Sequence, residues 1–444
     1  MQRSVAGPPA GVCRVWIVNH YADAPDRPAG TRHFDLARQL VRRGQCVTIF
    51  ASGFSHGTAE DVRLTRWQLF RSESIGGVQF VWLKTFAYRG NSWRRRVNML
   101  SYLMTFLVVQ TRFSSPDVVI GVTVQPFAAL GAWVAARRRH ARFIFEIGDL
   151  WPQTLVDLGA MRVGSPGEIL LRAIEAFLVR HASVVISLLP GVRDYLRKRG
   201  LPTDRCVYLP NGVDLEAFDG AIGLVSGEPN AAGSPLAAIR RLQVEGRLVL
   251  GYVGAFGRVN RVDVIVRAAA IAEARAPGRI GLVLVGDGPE RANVERLVSA
   301  GGAIVLAPAV PKSAVPVILR ALDALVVHAT ATPVYQYGIS FNKLFEYMAA
   351  ARPVVFACLS AYDPVAAQGA GISVAPDDPS LLADAFLAMA DAGADERARM
   401  GAAGRDYVER EHSVESLGER LAEIVSADTP AGSPAIGGYG DTGR

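Results

Sequence analysis

Cysteine is scarce in this 444-residue chain, and the few that occur stand singly along the sequence. Their wide separation excludes a disulfide framework and a cysteine zinc site, and it favours a reducing compartment. The sequence also lacks an Asp-x-Asp motif and a cluster of histidines with carboxylates. We therefore expect no metal and no resident cofactor. The four cysteines are Cys13, Cys46, Cys206 and Cys358.

Long apolar runs of the kind that enter membranes are also few. The run Val12–Val18 is short and contains Arg14, so it predicts a first strand rather than a signal peptide. Residues 118–136 are 19 uncharged residues in a row, which is long enough for a transmembrane helix. Gln125-Pro126 instead predicts a strand over Val118–Val122 and a helix that begins at Pro126, because proline suits a first helical turn. The transmembrane span is the alternative.

Apolar sequence in short, alternating segments makes up half of the chain. A chain of this length is too long for one core, so we expect two domains of about 200 residues each. Strand and helix patterns alternate in both halves, which predicts an α/β fold with parallel, doubly wound sheets. The predicted boundaries are a first domain over 1–219, a linker or insertion over 220–246 with one helical piece near Leu236–Leu242, a second domain over 247–404 and a disordered tail over 427–444.

The predicted elements of the first domain follow the same alternation. A helix is expected over Thr31–Arg43, where apolar residues recur on one face. The predicted strands are Val15–Val18, Val47–Ala51, Val78–Leu83, Val118–Val122, Arg142–Ile147, Ser183–Leu188 and Cys206–Leu209.

Charge is distributed unevenly between the halves. Residues 1–215 hold 28 Lys plus Arg against 15 Asp plus Glu, a net charge of +13, whereas the remainder has a net charge of −6. No nucleic-acid recognition motif accompanies the basic half, so we expect no nucleic-acid partner. An anionic membrane surface is the favoured partner, because each Lys or Arg near the headgroups contributes about 1 kcal/mol of binding.

One segment is suited to such a surface. Arg94, Arg95 and Arg96 precede Val97–Phe113, whose apolar positions Val97, Leu100, Tyr102, Leu103, Phe106, Leu107 and Val109 would make a broad apolar face. This pattern predicts an interfacial helix at the inner face of the plasma membrane. A buried core helix with a basic flank is an equal alternative.

The segment Tyr335–Val355 combines a turn, a helix start and a carboxylate. Gly338 allows a tight turn, and Ser340 is a predicted cap for a helix over Asn342–Ala350. The free N–H groups of that helix favour a phosphate, and Lys343 adds a positive charge in the first turn. Glu346 lies one turn further on, where its carboxylate can accept hydrogen bonds from a ribose diol. The alternative is an ordinary amphipathic core helix.

Two upstream segments share a strand–glycine–helix plan. Leu282–Glu290 is a buried-strand pattern that ends in glycines, and Leu248–Asp263 repeats it with Gly254 and Gly257. Glycines at the carboxyl end of a strand let the backbone approach a ligand. Three such turns that feed one crevice predict a binding site.

The order of these motifs, together with PNGVDLEAF at Pro210–Phe218, resembles the retaining glycosyltransferases of family 4, which have the GT-B fold. The resemblance runs from about Cys13 to Val425, and it is greatest to the fucosamine-transferase type that builds bacterial surface polysaccharides. It implies two Rossmann-like domains facing a cleft, with residues 405–426 crossing back to the first domain. The second domain would bind a nucleotide-diphosphate sugar, UDP favoured, and the first a lipid-linked or glycan acceptor.

The donor-binding residues implied by this resemblance lie in the three glycine-containing segments. They are Gly254, Phe256, Arg258, Arg261, Gly286, Asp287, Gly288, Gly338, Ile339, Ser340, Asn342, Lys343 and Glu346.

The implied acceptor-binding residues lie in two loops of the first domain. Gly30, Arg32 and His33 follow the first strand, and Asp149 and Trp151 follow the strand Arg142–Ile147. Arg32 and His33 would otherwise be ordinary polar residues of a first helical turn. Asp149 could orient or deprotonate an acceptor hydroxyl, so we assign it with Glu346 as catalytic. It could equally cap the helix that Pro152 begins.

Several positions depart from the family pattern. Gly338 replaces the first of two paired glutamates, Ala255 and Asn260 replace a phosphate-binding arginine and lysine, and Gly148 replaces a histidine. Arg258, Arg261 and Lys343 are candidates to bind the diphosphate instead, without a metal. These departures keep open a non-catalytic nucleotide-sugar-binding scaffold, and a non-hydrolysing nucleotide-sugar epimerase is a second alternative because it shares the GT-B scaffold.

Overall fold

A computed structural model of the protein describes residues 12–26, 31–55, 60–90, 93–123, 125–224, 234–298 and 302–427. The described chain divides into two compact units. The first unit comprises the described residues up to Pro210 together with those from Leu417 onward, and the second comprises Asn211–Ser416. Of the predicted tail, 427–444, only Ala427 is among the described residues.

The first unit contains a sheet of eight strands in the order β10-β9-β8-β7-β1-β2-β6-β5. All neighbours pair in parallel except β5 and β6. Short strands β3 and β4 form a separate antiparallel pair. The strands are β1 Arg14–Val18, β2 Cys46–Ser52, β3 Phe54–Ser55, β4 Glu60–Asp61, β5 Phe70–Ile75, β6 Val78–Leu83, β7 Val118–Thr123, β8 Arg142–Ile147, β9 Val184–Ser187 and β10 Cys206–Tyr208.

Helices connect the parallel strands of this sheet. They are α1 Arg32–Arg42, α2 Trp93–Val109, α3 Pro126–Arg139, α4 Gln153–Asp157, α5 Pro166–His181 and α6 Val192–Lys198. The last helix of the described chain, α16 Val414–Ser426, returns to this unit, where Leu417, Leu421 and Val425 join the core.

The uncharged run of residues 118–136 is divided as its Gln-Pro pair predicts. β7 ends at Thr123, and α3 begins at Pro126 with the Gln125 side chain accepting a hydrogen bond from the Ala128 N–H. Among the described helices, none is long and apolar enough to span a bilayer. The transmembrane alternative is therefore wrong for this run.

Helix α2 has both a core face and an exposed apolar face. Tyr102, Phe106 and Val109 are fully buried, so their predicted place on a membrane-facing surface is wrong. Their burial follows from the sheet beneath them, since the Tyr102 hydroxyl donates to Phe50 O at 2.7 Å. The apolar side chains left exposed on α2 are Trp93, Leu100, Met104 and Val108.

The strand β5 was not among the predicted elements. It pairs antiparallel with β6 through a two-residue turn, Gly76-Gly77, in which both glycines have positive φ (57° and 84°). Such a turn suits the right-handed twist of paired strands and requires residues tolerant of positive φ. The Gly-Gly pair was the signal that would have found β5, whose own sequence has no apolar run because Phe70 and Ile75 are separated by four polar residues.

The second unit is built on a six-stranded parallel sheet in the order β13-β12-β11-β14-β15-β16. Its strands are β11 Leu248–Val253, β12 Ile280–Val285, β13 Ile304–Ala307, β14 Ala324–His328, β15 Val354–Ala357 and β16 Gly371–Val374. Its helices are α7 Leu215–Leu224, α8 Pro235–Val244, α9 Val262–Arg275, α10 Arg291–Leu297, α11 Val315–Ala321, α12 Asn342–Ala349, α13 Pro364–Gln368, α14 Pro379–Asp391 and α15 Ala394–Tyr407.

Strand order reverses at β11, the first strand of this sheet. β12 and β13 lie on one side of it and β14, β15 and β16 on the other. Ligands of open parallel sheets bind beyond the carboxyl ends of the strands at such a point. The loops after β11, β12 and β14 are therefore where a ligand of this unit is expected.

Candidate active site

The glycine turns after β11 and β12 pack directly against each other. A side chain at Gly286 would collide with Gly254 O, and a Cβ at Gly288 would lie 2.7 Å from Phe256 O. The Phe256 N–H donates to Asp287 O at 2.8 Å, which joins the two turns. These glycines are thus required for the approach of one loop to the other, and together the loops present one continuous backbone surface.

Two predicted donor contacts, Phe256 and Ile339, place their side chains in the core instead. Phe256 is 0% exposed and Ile339 is 4% exposed. Because both side chains are buried, a ligand can contact only the backbone of these residues. Burial of the apolar side chains stabilises the unit. Asp287 is exposed, and its carboxylate accepts a hydrogen bond from the Gly288 N–H at 2.7 Å.

The two arginines after β11 differ in availability. Arg261 donates to both carboxylate oxygens of Asp263 at 2.9 and 3.1 Å and to Asp377 at 3.3 Å, so its guanidinium is already paired. Arg258 has a side chain that is 90% exposed, and it lies 3.5 Å from Glu290. An exposed pair of this kind is weak and is easily exchanged for another anion. Arg258 is therefore the better placed of the two to bind a phosphate.

Lys343, on the first turn of α12, points toward the loop after β11. Its Nζ donates to Asn260 Oδ1 at 2.6 Å and to the Tyr252 hydroxyl at 3.1 Å. Asn260 Nδ2 and the Tyr252 hydroxyl both donate to Ala255 O, at 2.8 and 2.7 Å, which holds the lysine's two partners in place. Burial lowers the pKa of Lys343 to about 8. Helix α12 thus places the positively charged Lys343 beside Asn260, which is itself neutral.

Glu346 lies one turn beyond Lys343 on the same helix. The residue is half-buried, and no described residue hydrogen-bonds its carboxylate. Burial raises its pKa, although nearby Lys312 opposes the rise. Removing a carboxylate partly from water without a hydrogen-bond partner is costly, and a ligand that supplies hydroxyl donors would recover part of that cost.

The start of α12 differs from its prediction. Phe341 occupies the cap position, and no side chain caps the helix, so the cap assigned to Ser340 is wrong. Ser340 Oγ instead accepts a hydrogen bond from the Asn211 N–H at 3.1 Å. Gly338 has a φ of 100°, which a residue with a side chain adopts only under strain. Asn342 is exposed at the first helical position.

In the first unit, Arg32 and His33 form a buried cluster with Glu146. Arg32 Nε and His33 Nε2 lie 3.2 and 3.0 Å from Glu146 Oε1, and Arg32 also donates to Leu209 O and Pro210 O. Burial would raise the pKa of Glu146, but these two partners lower it to about 2. The cluster favours a structural role for both residues over the predicted acceptor contact. Gly30 lies outside the described residues.

Asp149 and Trp151 lie beyond the carboxyl end of β8 as predicted. The Asp149 side chain does not cap α4, whose cap position is Pro152, so the capping alternative is wrong. Asp149 is an exposed residue, although the protein around its carboxyl removes enough water to raise its pKa. No described residue hydrogen-bonds its carboxylate. Asp149 therefore has an available carboxylate at a ligand-binding edge of the sheet.

A small cavity lined by Asp149 and Trp151 is also lined by Glu175, which was not among the predicted site residues. Glu175 accepts hydrogen bonds from the Tyr195 hydroxyl and from Arg199, both at 2.8 Å. Burial raises its pKa to about 7 against the opposing effect of these partners. No motif marks this residue, because its environment is created by the packing of α5 and α6.

Two family models match this chain, each over a different part of it. Residues 29–212 match the family described as a glycosyl transferase 4-like domain, and residues 247–392 match the family described as glycosyl transferases group 1. The chain is a glycosyltransferase. No match was found among curated protein sequences.

Solved structures place this glycosyltransferase in the GT-B fold. Sucrose-phosphate synthase from Thermosynechococcus elongatus is 16% identical with a TM-score of 0.68, over 93% of this chain and 98% of that one. An α,α-trehalose-phosphate synthase (UDP-forming) from Burkholderia vietnamiensis is 15% identical with a TM-score of 0.70, over 94% and 98%. Anabaena Alr3699/HepE in complex with UDP is 15% identical with a TM-score of 0.60, over 94% and 100%. At these identities the similarity establishes the fold.

Proposed function

We propose that this glycosyltransferase moves a hexose or an N-acetylated (deoxy)hexosamine from a nucleotide-diphosphate sugar, with UDP as the favoured nucleotide. The acceptor is a lipid-linked saccharide or a glycan of surface polysaccharide biosynthesis, as in the fucosamine-transferase type. The observation that carries the proposal is the placement of Lys343 and Glu346 one turn apart on α12, beside the joined loops after β11 and β12.

The donor side follows from the chemistry of these two residues. Lys343 supplies a positive charge near the backbone N–H groups at the start of α12, which suits a diphosphate. Glu346 supplies an acceptor for the two hydroxyls of a ribose. Two similar structures support UDP, since one is titled as UDP-forming and another as a complex with UDP.

In the proposed reaction, the bond between the sugar and the diphosphate breaks as the acceptor hydroxyl attacks the sugar. Lys343 and Arg258 stabilise the negative charge that develops on the leaving diphosphate, so no metal is needed. Asp149 orients the acceptor hydroxyl, and its raised pKa makes its carboxylate a stronger base than an ordinary aspartate. Retention of configuration implies that the departing phosphate oxygen helps to take the proton.

The proposed place of action is the inner face of the plasma membrane, with the first unit in contact with the lipid. Trp93 is 64% exposed, Met104 62% and Val108 55%, and Leu100 completes this apolar face of α2. Arg94 and Arg96 are exposed at the start of the same helix. Exposed apolar and basic residues on one helix suit shallow, reversible binding to anionic headgroups.

A donor panel tests the proposed reaction. The full chain is incubated with membrane lipids and UDP-, GDP- or dTDP-sugars, and the lipid-linked product is scored by mass. We expect one nucleotide class to give a product whose mass increases by one sugar, with release of the nucleoside diphosphate. The proposed transfer would be contradicted if the nucleoside diphosphate were released equally without added acceptor. It would also be contradicted if no donor gave a lipid-linked product.

A further inference from the structure

The first residue of the second unit, Asn211, is bonded to the loop that precedes α12. Its backbone N–H donates to Ser340 Oγ at 3.1 Å, and its side-chain Nδ2 donates to Ser340 O at 2.8 Å. Two hydrogen bonds between the same two residues fix both the distance and the orientation of the loop. Ser340 lies only three residues before Lys343, so this contact bears on where α12 begins.

Asn211 is itself held from the other side by His412. His412 Nδ1 lies 2.8 Å from Asn211 O, and its Nε2 lies 3.1 Å from the Tyr407 hydroxyl. A carbonyl oxygen only accepts, so Nδ1 carries a proton, and in the neutral ring Nε2 accepts from Tyr407. The polar atoms of this buried imidazole are therefore satisfied in one arrangement.

The His412 ring also touches α12 directly. It stacks on Phe345 with the ring centroids 3.8 Å apart and the planes inclined by 20°. Phe345 is 2% exposed and lies between Lys343 and Glu346 in the sequence of α12. Asn211 thus contacts the loop before the helix while His412 supports the helix itself.

The segments that carry Asn211 and His412 are joined by backbone hydrogen bonds. Val213 N–H donates to His412 O at 2.8 Å, and Val414 N–H donates to Val213 O at 3.0 Å. This parallel pairing holds the two residues at a set separation. The support for α12 is therefore one bonded unit rather than two independent contacts.

We infer that Asn211, supported by His412, is a positioning residue for donor binding: it sets the loop at Ser340 and hence the places of Lys343 and Glu346. The inference rests on the proposed donor function of α12. Asn211 itself does not contact the nucleotide. It acts through Ser340, so replacing it should weaken nucleotide binding without removing any group that contacts the nucleotide.

The test uses Asn211→Ala and Asn211→Asp in the full chain, with UDP as the probe. Both changes remove the Nδ2 donor to Ser340 O, but aspartate keeps the shape of asparagine. One hydrogen bond contributes about 0.5–1.5 kcal/mol, so we expect UDP affinity to fall about two- to tenfold in Asn211→Ala, and at least as much in Asn211→Asp, whose carboxylate faces Ser340 O with no donor. Calorimetry gives the affinity, and amide hydrogen exchange over residues 338–349 gives the order of the loop without any ligand. We expect faster exchange there in both variants.

Asn98→Ala is the matched control. Asn98 Nδ2 likewise donates to a backbone carbonyl, Phe86 O at 2.7 Å, but it lies in the first unit. Its loss should lower the melting temperature and leave UDP affinity and exchange over 338–349 unchanged.

Two results would overturn the inference. One is wild-type exchange over 338–349 in both Asn211 variants, and the other is wild-type UDP affinity in both variants despite a lowered melting temperature. If the wild-type chain itself binds no UDP, GDP or dTDP, the proposed donor function fails, and the exchange measurement alone then decides whether Asn211 orders the loop.

Discussion

The two units have similar parallel sheets but contrasting surfaces. Residues 1–215 carry a net charge of +13 and the remainder a net charge of −6. Among the described residues, eleven of the fourteen large hydrophobic side chains that are exposed lie in the first unit, and the second unit exposes Val244, Leu359 and Leu381. The same kind of scaffold thus carries a basic, partly apolar surface in one unit and a polar, acidic one in the other.

This contrast teaches that the fold does not assign the ligand. A parallel sheet offers a binding edge in both units, but the charges placed at that edge differ. In the first unit Glu146 is buried against Arg32 and His33, whereas the carboxylate of Asp149 has no hydrogen-bond partner among the described residues. In the second unit Lys343 donates to Asn260 and to the Tyr252 hydroxyl, and no described residue hydrogen-bonds the Glu346 carboxylate.

The largest expected effect is a loss of activity when the proposed donor-binding carboxylate of the second unit is removed. Glu346→Ala removes the carboxylate proposed to bind the ribose diol, and we expect kcat/KM to fall by a factor equivalent to about 2–4 kcal/mol, since hydrogen bonds to a charged group are strong. Product formation from the active donor measures it, with circular dichroism as the check on folding. The control is Glu295→Ala on the exposed surface of α10. Near-wild-type kcat/KM in the Glu346 variant would remove the donor-site assignment.

The next largest effect is a loss of membrane binding when the basic residues at the start of α2 in the first unit are removed. Replacing Arg94, Arg95 and Arg96 with glutamine should weaken binding to anionic vesicles by up to about 3 kcal/mol, at about 1 kcal/mol per arginine. Sedimentation with vesicles at low and high salt measures it, because headgroup attraction weakens as ionic strength rises. UDP affinity should not change. If wild-type protein stays in the supernatant at low salt, the membrane proposal is wrong.

A companion variant separates the apolar contribution from the charge. Leu100, Met104 and Val108 are exposed on α2, so changing them to serine should also release the protein from vesicles, with little change in melting temperature. The matched control is Leu158→Ser, an exposed leucine elsewhere in the same unit. Equal release by the control would show that the effect is not specific to α2.

How far the sequence predicts this molecule depends on the range of the interactions involved. The strands Val78–Leu83 and Arg142–Ile147 match their predicted bounds, because short apolar runs are local signals. The start of α3 at Pro126 was equally predictable from one dipeptide. Two-domain α/β organisation follows from length and alternation.

The site was predictable only in part, because several side chains have partners far away in the sequence. Ser340 resembles a cap locally, but Asn211, 129 positions earlier, occupies its Oγ. Arg32 resembles an exposed first-turn residue, but Glu146 lies 114 positions away. Phe256 resembles a ligand contact beside a glycine, but the core takes its side chain. Such pairings are set by tertiary packing, which a single sequence does not show.

The third effect concerns a single positive charge in the second unit, that of Lys343, and its proposed contact with the diphosphate. Lys343→Ala should weaken UDP binding by about 1.5–3 kcal/mol, the range for a hydrogen bond to a charged group, and uridine binding by much less. Calorimetry with both ligands measures the difference. Lys198→Ala in the first unit is the control. Equal losses for UDP and uridine would show that Lys343 does not contact the phosphates.

The smallest effect is the pH dependence of that same contact. Burial lowers the pKa of Lys343 to about 8 in the free protein, so the ammonium loses its proton as the pH rises through 8. A bound diphosphate favours the charged form and raises this pKa, so UDP affinity should fall up to about tenfold per pH unit above 8. Since the second ionisation of a phosphate lies near pH 6, the ligand's own charge changes little in this range.

Lys343→Arg distinguishes this titration from a general effect of alkaline pH. Arginine stays charged throughout, so the variant should bind UDP with an affinity that is nearly constant between about pH 7 and 9. Uridine, which has no phosphate, should show no decline with either protein. If the Lys343→Arg variant loses UDP affinity as steeply as the wild type, another group controls the dependence. The proposed contact between Lys343 and the diphosphate would then lose its support, because a lysine that binds an anion must stop binding it when it becomes neutral.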